Sequence, residues 1–454
     1  MRLGPRHGSP TRRRGAHHPR LTGTENGMGA SRRDLLVGAL GVGALAAAPG
    51  AQAAAAKFDA AWLQMVLERF AGFGGKASGG AGDNASGDWL EKELTALGYR
   101  CERQAFEVPY ADVRQATLVA GGRRAEVFPQ ATVRTTAVGG LTAPLKSSAM
   151  PGSLDGAIAL VVLPYSRWVS MAQPVIRAAL KDAFDRGAAA AVVVTTGPTG
   201  EVIGLNVSPS EPGFQKPVVL LAPKDAPPFV AAAKAGATVT LTVDAEVGRR
   251  PAYNLIARLD RGAAKTLIVT TPRSGWFTCA AERGAGVAIW LSLALGLAAA
   301  KPKVNLEFAA TSGHEYIYLG GERYLEHHAP KPADTHAWVH IGASAAARDW
   351  HELGALRPLP SADAQRVLTA TPDLLERTRR AFHGITGLEA TYEANKANAG
   401  GELVNVIEAG YVSAIGLYGG HRYFHTAGDD MRCVSGELVE PVAAAFRAVI
   451  DATF

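Results

Sequence analysis

Two short stretches hold the residues best suited to chemistry. His314-Glu315 follows an apolar run, Val304 to Ala310, that reads as a strand, with Gly320 and Gly321 just beyond. A carboxylate beside an imidazole at a strand end suits metal binding or proton transfer. About a hundred residues on, Phe424-His425-Thr426-Ala427-Gly428-Asp429 offers an imidazole with a carboxylate four residues behind it. An outer carboxylate of that kind orients a metal-bound histidine. Each has a plainer alternative: a salt-bridged glutamate at a strand end, and a turn histidine held by Asp429. His314-Glu315-Tyr316-Ile317-Tyr318 is not the His-Glu-x-x-His zinc motif, because the second histidine is missing.

The elements that must position these groups are legible from periodicity. From Pro251 onward, apolar runs alternate with helical patterns: strands at Ala252 to Leu259, Thr266 to Thr271, Val304 to Ala310, Ala337 to Ile341 and Val412 to Leu417. Helices are predicted at 286–300, 321–327, 372–384 and 435–454. Apolar rather than alternating strands point to a sheet covered on both faces. Before it, a helix at Phe58 to Phe70, a glycine-rich loop at 72–82, a helix over 87–97 and an edge strand at Cys101 to Val108 are expected. Between 109 and 248 short Val- and Leu-rich runs alternate with Pro/Gly turns around one helix, the pattern of a separate β-rich domain.

The chain has 454 residues, 47% of them apolar, enough for one large core or two ordinary ones. Its net charge of +6 resides in residues 1–53, which hold eight arginines against Glu25 and Asp34. The neutral remainder gives no electrostatic case for nucleic acid or an anionic membrane. Ser31-Arg32-Arg33-Asp34-Leu35-Leu36, the apolar run Val37 to Ala48, and Ala51-Gln52-Ala53 read as a twin-arginine export signal with its cleavage site. The apolar run is too short and glycine-rich for stable membrane insertion. Export would deliver the protein to the periplasm or the extracellular space, with Met1 or Met28 as the start. Cys101, Cys279 and Cys433 form no metal or disulfide framework, though one pair could bridge in an oxidising compartment.

The order of these segments resembles the zinc aminopeptidase family that includes glutamate carboxypeptidases, glutaminyl cyclases and the transferrin receptor, metallopeptidase family 28. Gly187-Ala188 after a helix, and Lys216-Pro217-Val218-Val219 entering a strand, resemble the protease-associated domain often inserted there. The resemblance implies an α/β fold with a mixed, mostly parallel central sheet flanked by helices, formed by residues 57–108 and 249–454, with a small inserted domain at 109–248. Where the family has His-x-Asp-Ser, this chain has Thr271-Pro272-Arg273-Ser274; where it has Asp-Asn-x-x-Gly, Glu282-Arg283-Gly284-Ala285-Gly286. Its Glu-Glu-x-Gly-x-x-Gly becomes His314-Glu315 with Gly320 in place, and Tyr324 matches a common tyrosine. A family aspartate aligns with His340, and the final His-Thr-x-x-Asp is His425 to Asp429.

The resemblance therefore implies zinc on Glu282, Glu315 and His425, with His314 as proton carrier and Asp429 behind His425. One zinc is expected rather than two, because Thr271 is a poor ligand. His340 is either a further ligand, a hydrogen-bond donor to the tetrahedral intermediate, or a core histidine. Glu282 is either a ligand or a helix N-terminal carboxylate stabilised by the dipole. Arg273 is expected to bring positive charge toward the site, and His421 carries no assigned role. The implied activity is aminopeptidase-type hydrolysis of peptide or N-acyl-amino-acid bonds. Two alternatives stand beside it: a binding scaffold that has lost the metal, and a single-zinc glutaminyl-cyclase-like acyltransferase, which needs a closed aromatic-lined pocket; Trp276, Phe277 and Trp290 lie near the right segments. The oligomeric state is left open.

Overall fold

The computed structural model describes residues 58–454 except 211–213 and 353–354. The export signal read at 1–53 lies outside the described residues. The central sheet runs, edge to middle, through Thr391–Glu393, Arg366–Ala370, Ala414–Gly419, Thr335–Ile341, Thr266–Pro272, Asn305–Thr311 and Thr238–Leu259, with Arg100–Ala120 beyond. The four innermost strands, from Ala414–Gly419 to Asn305–Thr311, are mutually parallel, and antiparallel pairs lie on both sides of them. The sheet is mixed, as expected, with helices packed on it.

Thr266–Pro272, Asn305–Thr311 and Thr335–Ile341 are buried over nearly their whole length, which explains why they read as apolar runs. The helix Gly284–Ala300 is apolar around its whole circumference and buried against the sheet and the helices Ala60–Gly72 and Gly436–Asp451. Bounds shift modestly from the sequence reading. The second helix begins at Ala81 rather than at 87, taking over part of the predicted loop.

The largest departure concerns the region 109–248. Its expected ends fall inside two unbroken strands, Arg100–Ala120 and Thr238–Leu259, which pair antiparallel through Tyr110↔Gly248 and on to Ala120↔Val239. One ribbon therefore carries the sheet from the core around Gly284–Ala300 into a second core of Leu118, Leu145, Leu160, Val192, Val219 and Leu241. Both strands run unbroken through Pro109 and Gly248, with exposed or half-exposed stretches at 110–115 and 246–251 and a bulge between Val113 and Gln115. All three cysteines are free, Cys279 and Cys433 buried. Among the described residues no helix is long and apolar enough to cross a membrane.

Candidate functional site

Parallel strands deliver their loops to one edge of the sheet, the usual location of a site in an open α/β fold. Here the carboxyl ends of Thr266–Pro272, Asn305–Thr311, Thr335–Ile341 and Ala414–Gly419 lead into Ser274, His314-Glu315, Ser344 and His421 to His425. Glu282 and Arg283 stand at the start of the buried helix, Arg283 at its N-cap. Ser274, Glu282, Arg283, His314, Glu315, Ser344, His421 and His425 are all buried, His314 the most open of them at 6%. Several of the loops are strained: Cys279, Ile317, Tyr318, Ser344 and His425 hold positive φ. For a β-branched residue such as Ile317 that is a rare conformation.

The structure brings together Glu282, His425 and a residue absent from the sequence reading, Arg283. His425 Nε2 lies 3.3 Å from Glu282 Oε1, and Arg283 Nη2 lies 2.7 Å from the same oxygen. His425 Nδ1 is 2.8 Å from the Gly204 carbonyl, which can only accept, so Nδ1 carries a proton there. Asp429 does stand behind this pair, but it accepts from the Ala281 and Glu282 backbone N–H groups, and His421 Nε2 lies 3.4 Å from it. It fixes the loop of Glu282 and does not touch His425 Nδ1. Burial opposes ionisation of Glu282, yet the Arg283 charge and then His425 outweigh it and hold the carboxyl at about 2.

Glu315 is not part of that group. Its two oxygens accept from Ser78 N–H at 2.7 Å and Ser274 Oγ–H at 2.8 Å. Burial still raises its pKa above the ordinary value, with those hydrogen bonds resisting. His314 turns to Glu402: Nδ1 is 3.2 Å from Oε1, and Thr311 Oγ donates to the same carboxyl at 3.0 Å. Burial, and then the charges of Arg283, His340 and His425, push His314 well below its usual value. Burial raises Glu402 to about 7, against the Thr311 bond and Arg283. His340 places Nδ1 3.0 Å from Thr270 Oγ, and burial followed by Arg283 lowers it to about 3. Thr271 donates to the Ile341 carbonyl and faces no open site.

Arg273 requires a correction. It points away from these groups, donating to the Ala310 and Tyr253 carbonyls at 2.8 Å each, pairing with Asp83 at 3.0 Å and lying over the Tyr253 ring. The positive charge at the site comes from Arg283 instead, whose Nε donates to the Ser274 carbonyl. Trp290 is also misplaced as a pocket residue. It is a core side chain donating to the Val269 carbonyl, whereas Trp276 and Phe277 pack on Phe128.

A segment at 201–207 covers the site. Gly204 N–H donates to the His425 carbonyl, Val207 N–H to the Glu315 carbonyl, Gly428 N–H to Glu201, and Trp276 Nε1 to Asn206. A Cβ at Gly204 would come within 2.9 Å of the Trp276 ring, so only glycine permits this approach.

Residues 268–450 match the sequence profile of peptidase family M28. That span is similar to family M28. No curated protein matches this sequence. Among solved structures, a zinc aminopeptidase from Bacillus subtilis superposes with a TM-score of 0.69 at 18% identity, covering 87% of this chain and 95% of that one. A peptidase M28 precursor from Shewanella amazonensis gives 0.65 at 19%, covering 86% and 96%. An aminopeptidase from Aneurinibacillus sp. strain AM-1 gives 0.62 at 17%, covering 87% and 93%. These likenesses establish the M28 fold, and the family is one of metal-dependent exopeptidases.

The donor set of this chain, as arranged, does not fit the zinc that family implies. The obstacle is Arg283, whose guanidinium lies 2.7 Å from Glu282 Oε1, while Glu315 turns to Ser78 and Ser274 and His340 leaves only Nε2 free. Among the described residues, one trio of metal-capable side chains has its donor atoms within 4.8 Å of one another, and it is His421, Asp429 and Cys433. There Asp429 accepts one backbone N–H on each oxygen and faces His421 at 3.4 Å, and Cys433 Sγ lies 3.4 Å from the Gly428 carbonyl. Arg283 was legible beside Glu282 as a cation next to an expected ligand. Glu402, flanked by glycines and Leu403, carries no local signal and reaches His314 only through the tertiary fold.

Proposed function

We propose that this protein is a metal-free binding member of the M28 fold, taking peptide or N-acyl-amino-acid ligands without hydrolysing them. The observation that carries the reading is Arg283 Nη2 on Glu282 Oε1 at 2.7 Å, a positive charge where the family pattern calls for a metal. A buried carboxylate whose charge is already neutralised by a guanidinium gains little from a zinc ion that must first displace it. The ligand class is taken from the family, and export by the twin-arginine route from the leader sequence.

A second reading, the single-zinc aminopeptidase with His314 as proton carrier, is favoured by one feature. Glu282 Oε1 and Oε2 and His425 Nε2 have no hydrogen-bond partner. That reading requires Arg283 to leave Glu282 and Glu315 to leave Ser78 and Ser274. The test is to assay the mature protein on aminoacyl and N-acyl-aminoacyl amides with and without added zinc or cobalt. In parallel, titration calorimetry measures binding of the same compounds. Binding without turnover in either condition supports the proposal. Metal-dependent release of an amino acid, lost in Glu282→Gln, returns the aminopeptidase.

A further inference from the structure

The buried atoms left unpaired around the start of the helix Gly284–Ala300 form a coherent set. Glu282 Oε1 and Oε2, His425 Nε2, His340 Nε2 and Arg283 Nη1 all lack a hydrogen-bond partner although their residues are at most 1% exposed. Unpaired buried groups are rare and costly, so a cluster of them needs an explanation. Arg283 supplies most of one, because its charge reaches Glu282, His340, His314, Glu402 and Tyr318 alike. Yet it meets Glu282 without an aligned hydrogen bond: the pair is close at 2.7 Å while neither Glu282 oxygen counts a donor. A guanidinium chosen for this carboxylate would present its paired N–H groups in a fork. This one presents charge.

Its position argues the same way. Arg283 is the N-cap of the helix, where the dipole disfavours a cation and no side-chain cap bond is made. His425, held by the Gly204 carbonyl on Nδ1, presents Nε2 to Glu282 Oε1. When Nε2 bears no proton, a lone pair faces a carboxylate at 3.3 Å, an arrangement that only a nearby cation makes stable.

We propose that the Arg283 guanidinium is a resident cation occupying the place of a metal ion, and that its removal alone converts Glu282 and His425 into a divalent-cation site completed by water. The inference rests on the metal-free reading of the same site and goes beyond it, since it assigns the block to one side chain. Taking one unit charge away from about 4 Å of a divalent ion tightens binding roughly 30-fold even at the dielectric constant of water. More is expected in a buried site.

The experiment compares full-length mature wild type with Arg283→Asn, Arg283→Gln and Arg283→Lys by zinc titration and by the visible absorption of added cobalt. The expected result is stoichiometric binding in Arg283→Asn and Arg283→Gln, at least about 30-fold tighter than in wild type. Arg283→Lys, which keeps the charge, should bind no better than wild type. Adding Glu282→Gln or His425→Ala to Arg283→Asn should abolish the gain. A variant that folds only when zinc is present supports the proposal equally. Folded Arg283→Asn and Arg283→Gln proteins as metal-free as wild type overturn it, as does an equal gain in Arg283→Lys. Tight zinc binding by wild type with hydrolysis refutes the binding-protein reading itself, a separate outcome from variants that gain nothing.

Discussion

Arg273 and Arg283 flank the same loop, are equally buried, and face a carboxylate each, but they do different work. Arg273 donates from all three of its nitrogens, to the Asp83, Ala310 and Tyr253 carbonyls, and lies over the Tyr253 ring. Asp83 accepts from Gly79 N–H and the Ser312 hydroxyl on Oδ2, while its Oδ1 faces Arg273 without an aligned hydrogen bond. Arg283 has one nitrogen bonded to the Ser274 carbonyl, one in loose contact with Glu282 and one without a partner. A buried guanidinium that donates from every nitrogen is architecture; one that donates from a single nitrogen is a place held for something else. The difference identifies the functional edge of the molecule more sharply than the residue types do.

Substitution should break the two pairs unequally. Arg273→Met strands Asp83 and two backbone carbonyls, so a loss of about 3–5 kcal/mol in urea unfolding is expected. Asp83→Asn with Arg273→Met should remain several kcal/mol down, at the order of the single loss, because the carbonyl partners stay unpaired. Glu282→Gln with Arg283→Met leaves one carbonyl, that of Ser274, unpaired and should cost about 1–3 kcal/mol, less than the Arg273 pair. Near-equality of the two double variants in the same denaturation series would erase the contrast.

Dependence on pH sharpens it further. Glu282 is held at about 2, below its ordinary 4.5, so its contribution is present above pH 4.5 and is lost as pH falls toward 2. Glu402, raised to about 7, behaves oppositely: its contribution is full below pH 4.5 and is lost as pH rises through 7. Denaturation midpoints of Glu402→Gln measured between those values should lose the alkaline decline seen in wild type. A variant curve parallel to wild type would contradict the assignment. The smallest effect belongs to the solvent side of Tyr253, where Arg103 stacks on the ring and pairs with Asp88 and Glu91 in water. Arg103→Ala should cost at most about 1 kcal/mol in the same assay, and less in high salt.

The sheet was readable because burial on both faces writes itself as apolar runs, and Thr266–Pro272, Asn305–Thr311 and Thr335–Ile341 all appear at the expected places. The ribbon of Arg100–Ala120 and Thr238–Leu259 was not, since its partners lie more than a hundred residues apart and strand pairing leaves no mark on either sequence alone. At the site, the family resemblance grouped Glu282, Glu315 and His425, and the structure brings His425 to 3.3 Å from Glu282 while Glu315 turns to Ser78 from a distant loop. The same resemblance aimed Arg273 at the site, but its partner Asp83 sits in a helix predicted to start later. Side-chain direction is a tertiary property, and that is where a motif stops informing.

The central claim is that a guanidinium stands where a metal would. The most direct measurement is anomalous diffraction at the zinc edge from crystals of the wild-type protein grown and soaked with zinc. The account predicts no peak between Glu282 and His425, with Arg283 resting on Glu282. A strong peak bonded to Glu282 and His425, with Arg283 displaced, would contradict it.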